Sequence, residues 1–368
     1  MAPKTDPLSA GGPLLEWFGK ASRDLPWRRD YEPYAVLVSE VMLQQTQMDR
    51  VCEYFTRWMR LFPTPQALAE ASEEAVLKAW EGLGYYSRAK NLRRAAAIIA
   101  HEHAGRVPED PDTLRGLPGI GPYTAGAVAS IAYNHPLPAV DANVERVLSR
   151  LCDVDLPVKS PAAKARFRAL VMEIMPEGRA RDFNQALMEL GALVCTKNPR
   201  CAVCPLRDLC LARRFGVTAE RPLPGAKTAY EGLEIVTGVL MHKGRIFIQK
   251  RMDTGAWAGL WEFPGGRLEP GETPEQGIVR EYLEETEFVL SVKEKLGIVR
   301  HAYTRYRITM HCFLCALDAG EAPEPVLHAA SAFAWMSPRR LDTPAMPAGH
   351  RKLLHAFGER IFAAMEDL

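Results

Sequence analysis

Four of the chain's eight cysteines crowd into one short stretch, Cys195-Thr-Lys-Asn-Pro-Arg-Cys201-Ala-Val-Cys204-Pro-Leu-Arg-Asp-Leu-Cys210. The spacing constrains the chain more than the count does. Two zinc-binding Cys-x-x-Cys pairs are ordinarily separated by a finger's length of chain, whereas these four thiols share one compact loop able to close around a cube. A [4Fe–4S] cluster fits the spacing best. A structural zinc is the alternative, and a disulfide pair is less favoured still.

The other cysteines, Cys52, Cys152, Cys312 and Cys315, are scattered as buried thiols of a reducing compartment would be. Cys312 and Cys315 form a Cys-x-x-Cys, but in a strand residues three apart point to opposite faces, so both read as core. With 368 residues, 47% of them hydrophobic and 25% charged, the chain has material for two domains with proper cores. No apolar run approaches membrane-spanning length, and the start Met1-Ala-Pro-Lys-Thr-Asp reads as neither a secretory signal nor a transit peptide. The expected location is the cytoplasm, at the nucleoid if DNA is the partner. A net charge of +1 excludes a blanket polyelectrolyte binder, so any contact with phosphates must be local. Candidates are Arg28-Arg29 and the group Arg88, Lys90, Arg93 and Arg94, although a solvated helix face is the more common fate of any one such run.

Composition changes near 216–232, where two prolines and small residues without apolar periodicity read as a linker. Before it, apolar residues at i, i+3 and i+4 predict helices over 34–43, 48–61, 73–80, 89–100, 143–151, 162–175 and 181–194. After it, strands are predicted at 233–241, 245–250, 298–303, 306–316 and 332–335, with helices at 274–285 and 350–365.

Within the helical half, Leu117-Pro-Gly119-Ile-Gly121-Pro-Tyr123 sets two glycines around one apolar residue, then a proline suited to a first helical turn. Such a turn forms a helix-hairpin-helix. Backbone N–H groups exposed by Gly119 and Gly121 at a helix N-terminus favour an anion such as a DNA phosphate, although a plain αα-hairpin would look alike. Asp141 follows at the predicted N-cap of the next helix, where aspartate is common for capping alone. Glu40 stands in the apolar helical run Val38-Ser-Glu-Val-Met-Leu, where burial raises a carboxyl pKa and suits it to act as an acid; a partly exposed polar position is the plainer reading.

Taken together, the hairpin, Asp141 and the cysteine loop resemble the helix-hairpin-helix DNA glycosylase superfamily, over nearly all of residues 14–212. SEVMLQQTQ at 39–47, LPWR at 25–28, GLGYYSRAKNL at 82–92 and FNQALMELGALVC at 183–195 narrow the resemblance to MutY-type adenine DNA glycosylases. That resemblance implies a monofunctional, retaining enzyme of base-excision repair. Glu40 would protonate adenine and later act as base, Asp141 would face or bond to the sugar cation, and Tyr123 and Asn143 would orient them. Trp27, Arg28 and Gln185 would line the adenine pocket, Gln45 and Thr46 would sit by the opposite base, and Tyr85 would wedge into the stack. The expected partner of the monomeric enzyme is double-stranded DNA carrying adenine opposite 8-oxoguanine or guanine, and Cys195, Cys201, Cys204 and Cys210 would hold the cluster.

A second resemblance covers Gly266 to Phe288, which follows the Nudix box with glutamates at 272, 281, 284 and 285. Tyr282 replaces an aliphatic residue there, and Glu287 a glycine. In MutY-type enzymes this domain is implied to read 8-oxoguanine, through a loop matching Tyr303-Thr304-Arg305, where relatives carry Phe-Ser-His. The cluster's first loop is one residue shorter than the family's usual spacing. The fold class expected is therefore an all-α helix-hairpin-helix glycosylase domain over 1–215, including the cluster loop 195–210. A linker at 216–232 and an α+β Nudix-like domain over 233–368 complete it. The rivals are an endonuclease III-type lyase, which needs a lysine nucleophile, a nucleotide-pool Nudix hydrolase, and a DNA-binding module with a dead site.

Overall fold

The computed structural model describes residues 6–225, 229–317 and 324–364. Its helices before residue 216 are α1 (Gly11–Ala21), α2 (Pro33–Leu43), α3 (Met48–Leu61), α4 (Pro65–Glu70), α5 (Glu73–Trp80) and α6 (Ser87–Glu102). They continue with α7 (Pro111–Gly116), α8 (Pro122–Tyr133), α9 (Ala142–Leu151), α10 (Pro161–Ile174), α11 (Ala180–Leu193) and α12 (Leu211–Arg214). Several begin with a first-turn proline behind a capping side chain, as at Thr64, Asp110 and Ser160, each of which accepts a backbone N–H three residues on.

Two compact units divide the chain. The first takes residues up to 71 together with 91–227, and the second takes 72–90 together with 228–368. By its contacts the segment 72–90 groups with the C-terminal half, while the sequence reading places it in the helical domain 1–215. The reason is specific: Glu81 accepts from Arg351 Nε at 2.6 Å and from the Met346 amide at 2.9 Å, while the Tyr86 hydroxyl donates to the Met346 carbonyl.

Helix α2 is apolar on every side, and residues 34–42 are all buried, so it runs through the first unit's interior with α8 packed on it. A second core joins α1, α9, α10 and α11 around Leu14, Phe167, Phe183 and Leu148. Helix α1 carries no conspicuous signal behind Gly11-Gly-Pro, yet it forms because Leu14 and Phe18 seat in that core.

The second unit is built on a six-stranded sheet of β1 (Glu231–His242), β2 (Arg245–Arg251), β3 (Trp261–Glu262), β4 (Leu290–Tyr303), β5 (Tyr306–Leu317) and β6 (Ala330–Met336). The order is β3-β2-β1-β5-β4, with β6 also on β2; β1 and β5 are parallel and every other pairing is antiparallel. Helix α13 (Pro274–Thr286) contributes Ile278 and Tyr282 to the core on one face, while α14 (Ala348–Ala363) contributes Leu353 and Ile361 to the core on the other. Strand periodicity divides β5 accordingly: Met310, Cys312 and Leu314 join the α14 side, and Phe313 and Cys315 the α13 side. Tyr282 fits its aliphatic position because its buried hydroxyl donates to the Gly238 carbonyl at 2.7 Å. Glu287 adopts the left-handed conformation, φ 58°, that a glycine would take more readily there, and its carboxylate meets His328. Among the described residues, no helix is long and apolar enough to cross a membrane.

Candidate active site

Glu40 reaches a cavity of about 760 Å³ in the first unit from the buried helix α2, and is only 5% exposed. Burial, the dominant influence, pushes its carboxyl up to about 7. The nearby Asp141 charge adds to the rise, while the Tyr123 hydrogen bond and Arg28 oppose it. Tyr123 opens α8 and donates its hydroxyl to Glu40 Oε2 at 2.8 Å. The Tyr123 phenol is itself held well above its ordinary value, chiefly by burial and then by the two carboxylates.

Asp141 both caps a helix and lines the cavity. Its Oδ1 accepts from the Val144 amide and its Oδ2 from Asn143 Nδ2, both at 2.8 Å. Helix α11 can come this close to the start of α9 only because Gly191 has no side chain, since a Cβ there would stand 2.6 Å from that of Asn143. Arg146 completes the arrangement by donating to Asn143 Oδ1 at 2.8 Å and to the Gly191 and Cys195 carbonyls at 2.7 Å.

Trp27, Arg28, Gln45, Thr46 and Gln185 line the same cavity as Glu40, Tyr123, Asp141 and Asn143. Trp27 is 4% exposed and packs edge-on against Phe55. Gly119, with φ 77°, and Gly121 lie exposed at the α7–α8 hairpin. Tyr85, Tyr303 and Thr304 belong to the second unit. There Tyr85 faces Tyr303 at 6.3 Å, Trp257 stands 4.6 Å from Tyr303, and Thr304 sits exposed at the tip of the β4–β5 hairpin.

Three of the candidate phosphate-binding cations prove to be internal, the first being Arg28, which bonds Gln185 and Glu189 inside the cavity. Arg88 is 9% exposed, with Nη2 donating to the Leu83 and Gly84 carbonyls at 3.0 Å, and Lys90 pairs with Glu73 at 2.7 Å. Arg93 donates to the Ala71 carbonyl, so Arg94 is the exposed member of that group. Helical spacing cannot separate a cation that caps a loop from one that faces solvent.

Sequence reasoning also missed Arg23, Arg146, Arg150 and Glu189. Arg150 is 4% exposed and binds the carbonyls of Thr196, Lys197, Thr218 and Arg221, tying the start of the cysteine loop to the segment that follows α12. Its Nη1 lies 3.4 Å from Cys195 Sγ. Cys195, Cys201, Cys204 and Cys210 are unbridged thiols lining one small cavity together with Arg150 and Arg207. Among the described residues, no three His, Cys, Asp or Glu side chains are arranged to hold a metal ion.

The adenine DNA glycosylase of Homo sapiens is 34% identical to this chain over 94% of the chain and 73% of its own length. The chain belongs to the adenine DNA glycosylase family. That of Mycobacterium tuberculosis strain H37Rv is 45% identical over 60% of the chain and 73% of its own length. Family models for the HhH-GPD superfamily of base-excision DNA repair proteins and for the NUDIX domain match residues 38–170 and 236–356. A solved thermostable thymine-DNA glycosylase superposes on 55% of the chain and 94% of its own length, with 26% identity and a TM-score of 0.50. This adenine DNA glycosylase is thus an enzyme of base-excision repair acting on DNA, with a helical HhH-GPD region and a mixed α/β Nudix-like domain.

Proposed function

We propose that the enzyme removes adenine paired with 8-oxoguanine, and with guanine, by a retaining hydrolysis in which Glu40 is acid then base and Asp141 stabilises the sugar cation. The observation that carries this reading is a neutral-range carboxyl, Glu40, hydrogen-bonded by Tyr123 and sharing a cavity with the fixed carboxylate of Asp141. Because Tyr123 donates to Oε2, the acidic proton resides on Oε1. Adenine leaves poorly as an anion, so Glu40 passes this proton to N7 as the bond from C1′ to N9 breaks and its electron pair departs with the base. Asp141 faces the resulting oxocarbenium ion and bonds to C1′. Glu40, now a carboxylate, takes a proton from water, whose oxygen displaces Asp141 from the same face that adenine left. The base must first be flipped from the duplex, which costs least at a mispair, and the cavity is large enough to receive it.

Cys195, Cys201, Cys204 and Cys210 would hold the [4Fe–4S] cluster. The donor set supports this: four free thiols line one cavity together with Arg150, Arg200, Arg207 and Arg213, whose charge suits an anionic group. When bound, the cluster supplies a crosslink for the loop whose Cys195 carbonyl receives Arg146. In the Nudix-like domain, Tyr303 and Thr304 are proposed to read the 8-oxoguanine.

The lyase alternative needs an amine where this chain has Tyr123, and a phenol forms no imine with the sugar aldehyde. The product is expected to be an intact abasic strand, cleaved only on later alkaline treatment, without covalent trapping by borohydride. Strand scission concurrent with base release, together with efficient trapping, would make the enzyme a lyase instead.

A further inference from the structure

Glu189 is a buried carboxylate that the mechanism above leaves without a role. It lies on α11 one turn beyond Gln185, is 1% exposed, and lines the same cavity. Arg23 donates to it from Nε at 2.7 Å, from Nη2 at 2.9 Å and from its backbone amide at 3.0 Å. Arg28 donates from Nη2 to Glu189 Oε2 at 3.0 Å and, from Nε, to Gln185 Oε1 at 2.9 Å. Arg28 also donates from Nη1 to the Arg23 carbonyl at 3.2 Å, and its guanidinium lies 5.4 Å over the Phe18 ring. Burial alone would raise the Glu189 pKa, but the two arginines overcome it, so the group stays ionised.

The polarity of this relay is fixed by chemistry. A carboxylate only accepts and a guanidinium only donates, so an amide bonded to that guanidinium must offer its oxygen. The Gln185 amide nitrogen is meanwhile engaged with the Arg181 carbonyl at 3.2 Å and the Tyr31 hydroxyl at 3.3 Å. What Gln185 has left for a ligand is the second lone pair of Oε1, an acceptor. A 6-aminopurine brings a donor to such a wall, whereas a 6-oxopurine brings a second acceptor.

We propose that Glu189 is a positioning residue for base specificity: by holding Arg28 in place it locks the Gln185 amide so that the cavity presents an acceptor, selecting a purine with an exocyclic 6-amino group. This rests on the proposed reading of the cavity as the adenine site. Without Glu189, Arg28 keeps only its bond to the Arg23 carbonyl and its contact with Phe18, so its hold on the Gln185 oxygen loosens and the acceptor is less firmly presented to the base.

The test is single-turnover base release by the full-length protein on duplexes carrying adenine, unsubstituted purine or hypoxanthine opposite 8-oxoguanine. Glu189→Gln is expected to slow adenine release by about 10- to 100-fold while slowing purine release far less, the loss of one hydrogen bond reported by a single substrate group. The handicap of hypoxanthine relative to adenine should shrink, and the pH midpoint set by Glu40 should stay in place. Glu189→Asp, which keeps the charge at shorter reach, should lie between the two and carries the test if the glutamine variant does not fold. Equal losses on adenine and purine, or undiminished adenine preference in both variants, would overturn the proposal and leave the adenine-site reading intact. Wild-type protein that releases no adenine, and is indifferent to Glu40→Gln, would overturn both.

Discussion

Replacing Glu40 with glutamine is expected to slow adenine release by about 10²- to 10⁴-fold, the usual worth of a positioned general acid. Glutamine keeps the volume of the side chain and can still accept from the Tyr123 hydroxyl, so the buried helix α2 and the cavity stay as they are. Duplex binding should therefore remain near the wild-type level, because the cavity's chemistry and not its shape has changed. Asp141→Asn is expected to be nearly as damaging, and here the helix cap separates charge from structure. Asparagine caps as well as aspartate does, so α9 should persist while the anion facing the sugar is lost. Single-turnover release and duplex affinity, measured side by side, check both variants. Wild-type-like turnover in Glu40→Gln would sink the mechanism.

A second large effect follows from the Glu40 proton. With the folded carboxyl near 7, the rate of base release should be level at lower pH and fall as pH rises through about 7, because the acid is then lost. The same group makes stability depend on pH. Its folded pKa lies above the ordinary value of 4.5, so the native state binds more protons between those two values. The stability that the neutral group contributes is fully present below 4.5 and is lost as pH rises through about 7. The shift corresponds to about 3 kcal/mol, the net cost of charging Glu40 in this buried site beside Asp141. Glu40→Gln, neutral throughout, should match the wild type in urea midpoint at about pH 4 and exceed it at about pH 8. An unchanged difference between the two proteins across this range would show that Glu40 is not buried as described.

Much of this site was legible in the sequence because its signals are local. A carboxylate inside the apolar run of α2, an aspartate at the start of α9, two glycines before Pro122 and four cysteines in one loop each declare themselves over a few residues. Gln185 was named from the sequence, whereas Glu189, one turn on in the same buried helix, was not, because nothing local says that two arginines more than 150 residues earlier meet the pair. Arg146 and Arg150 likewise look like the charged face of an amphipathic helix until the carbonyls they bind are known. The segment 72–90 reads as part of the helical domain because periodicity reports a helix and not the surface it rests on; Glu81 and Tyr86 reveal that surface only in three dimensions. Strand β3, two residues long, is too short to carry a period at all.

The most direct measurement is strand-specific adenine release from four duplexes that differ only in the base opposite the adenine: 8-oxoguanine, guanine, cytosine or thymine. Adenine should leave fastest opposite 8-oxoguanine, more slowly opposite guanine, and negligibly from the normal pair with thymine, with the abasic strand intact in every case. Release at equal rates from all four duplexes, or from none while free oxidised nucleotides are hydrolysed, would contradict the account.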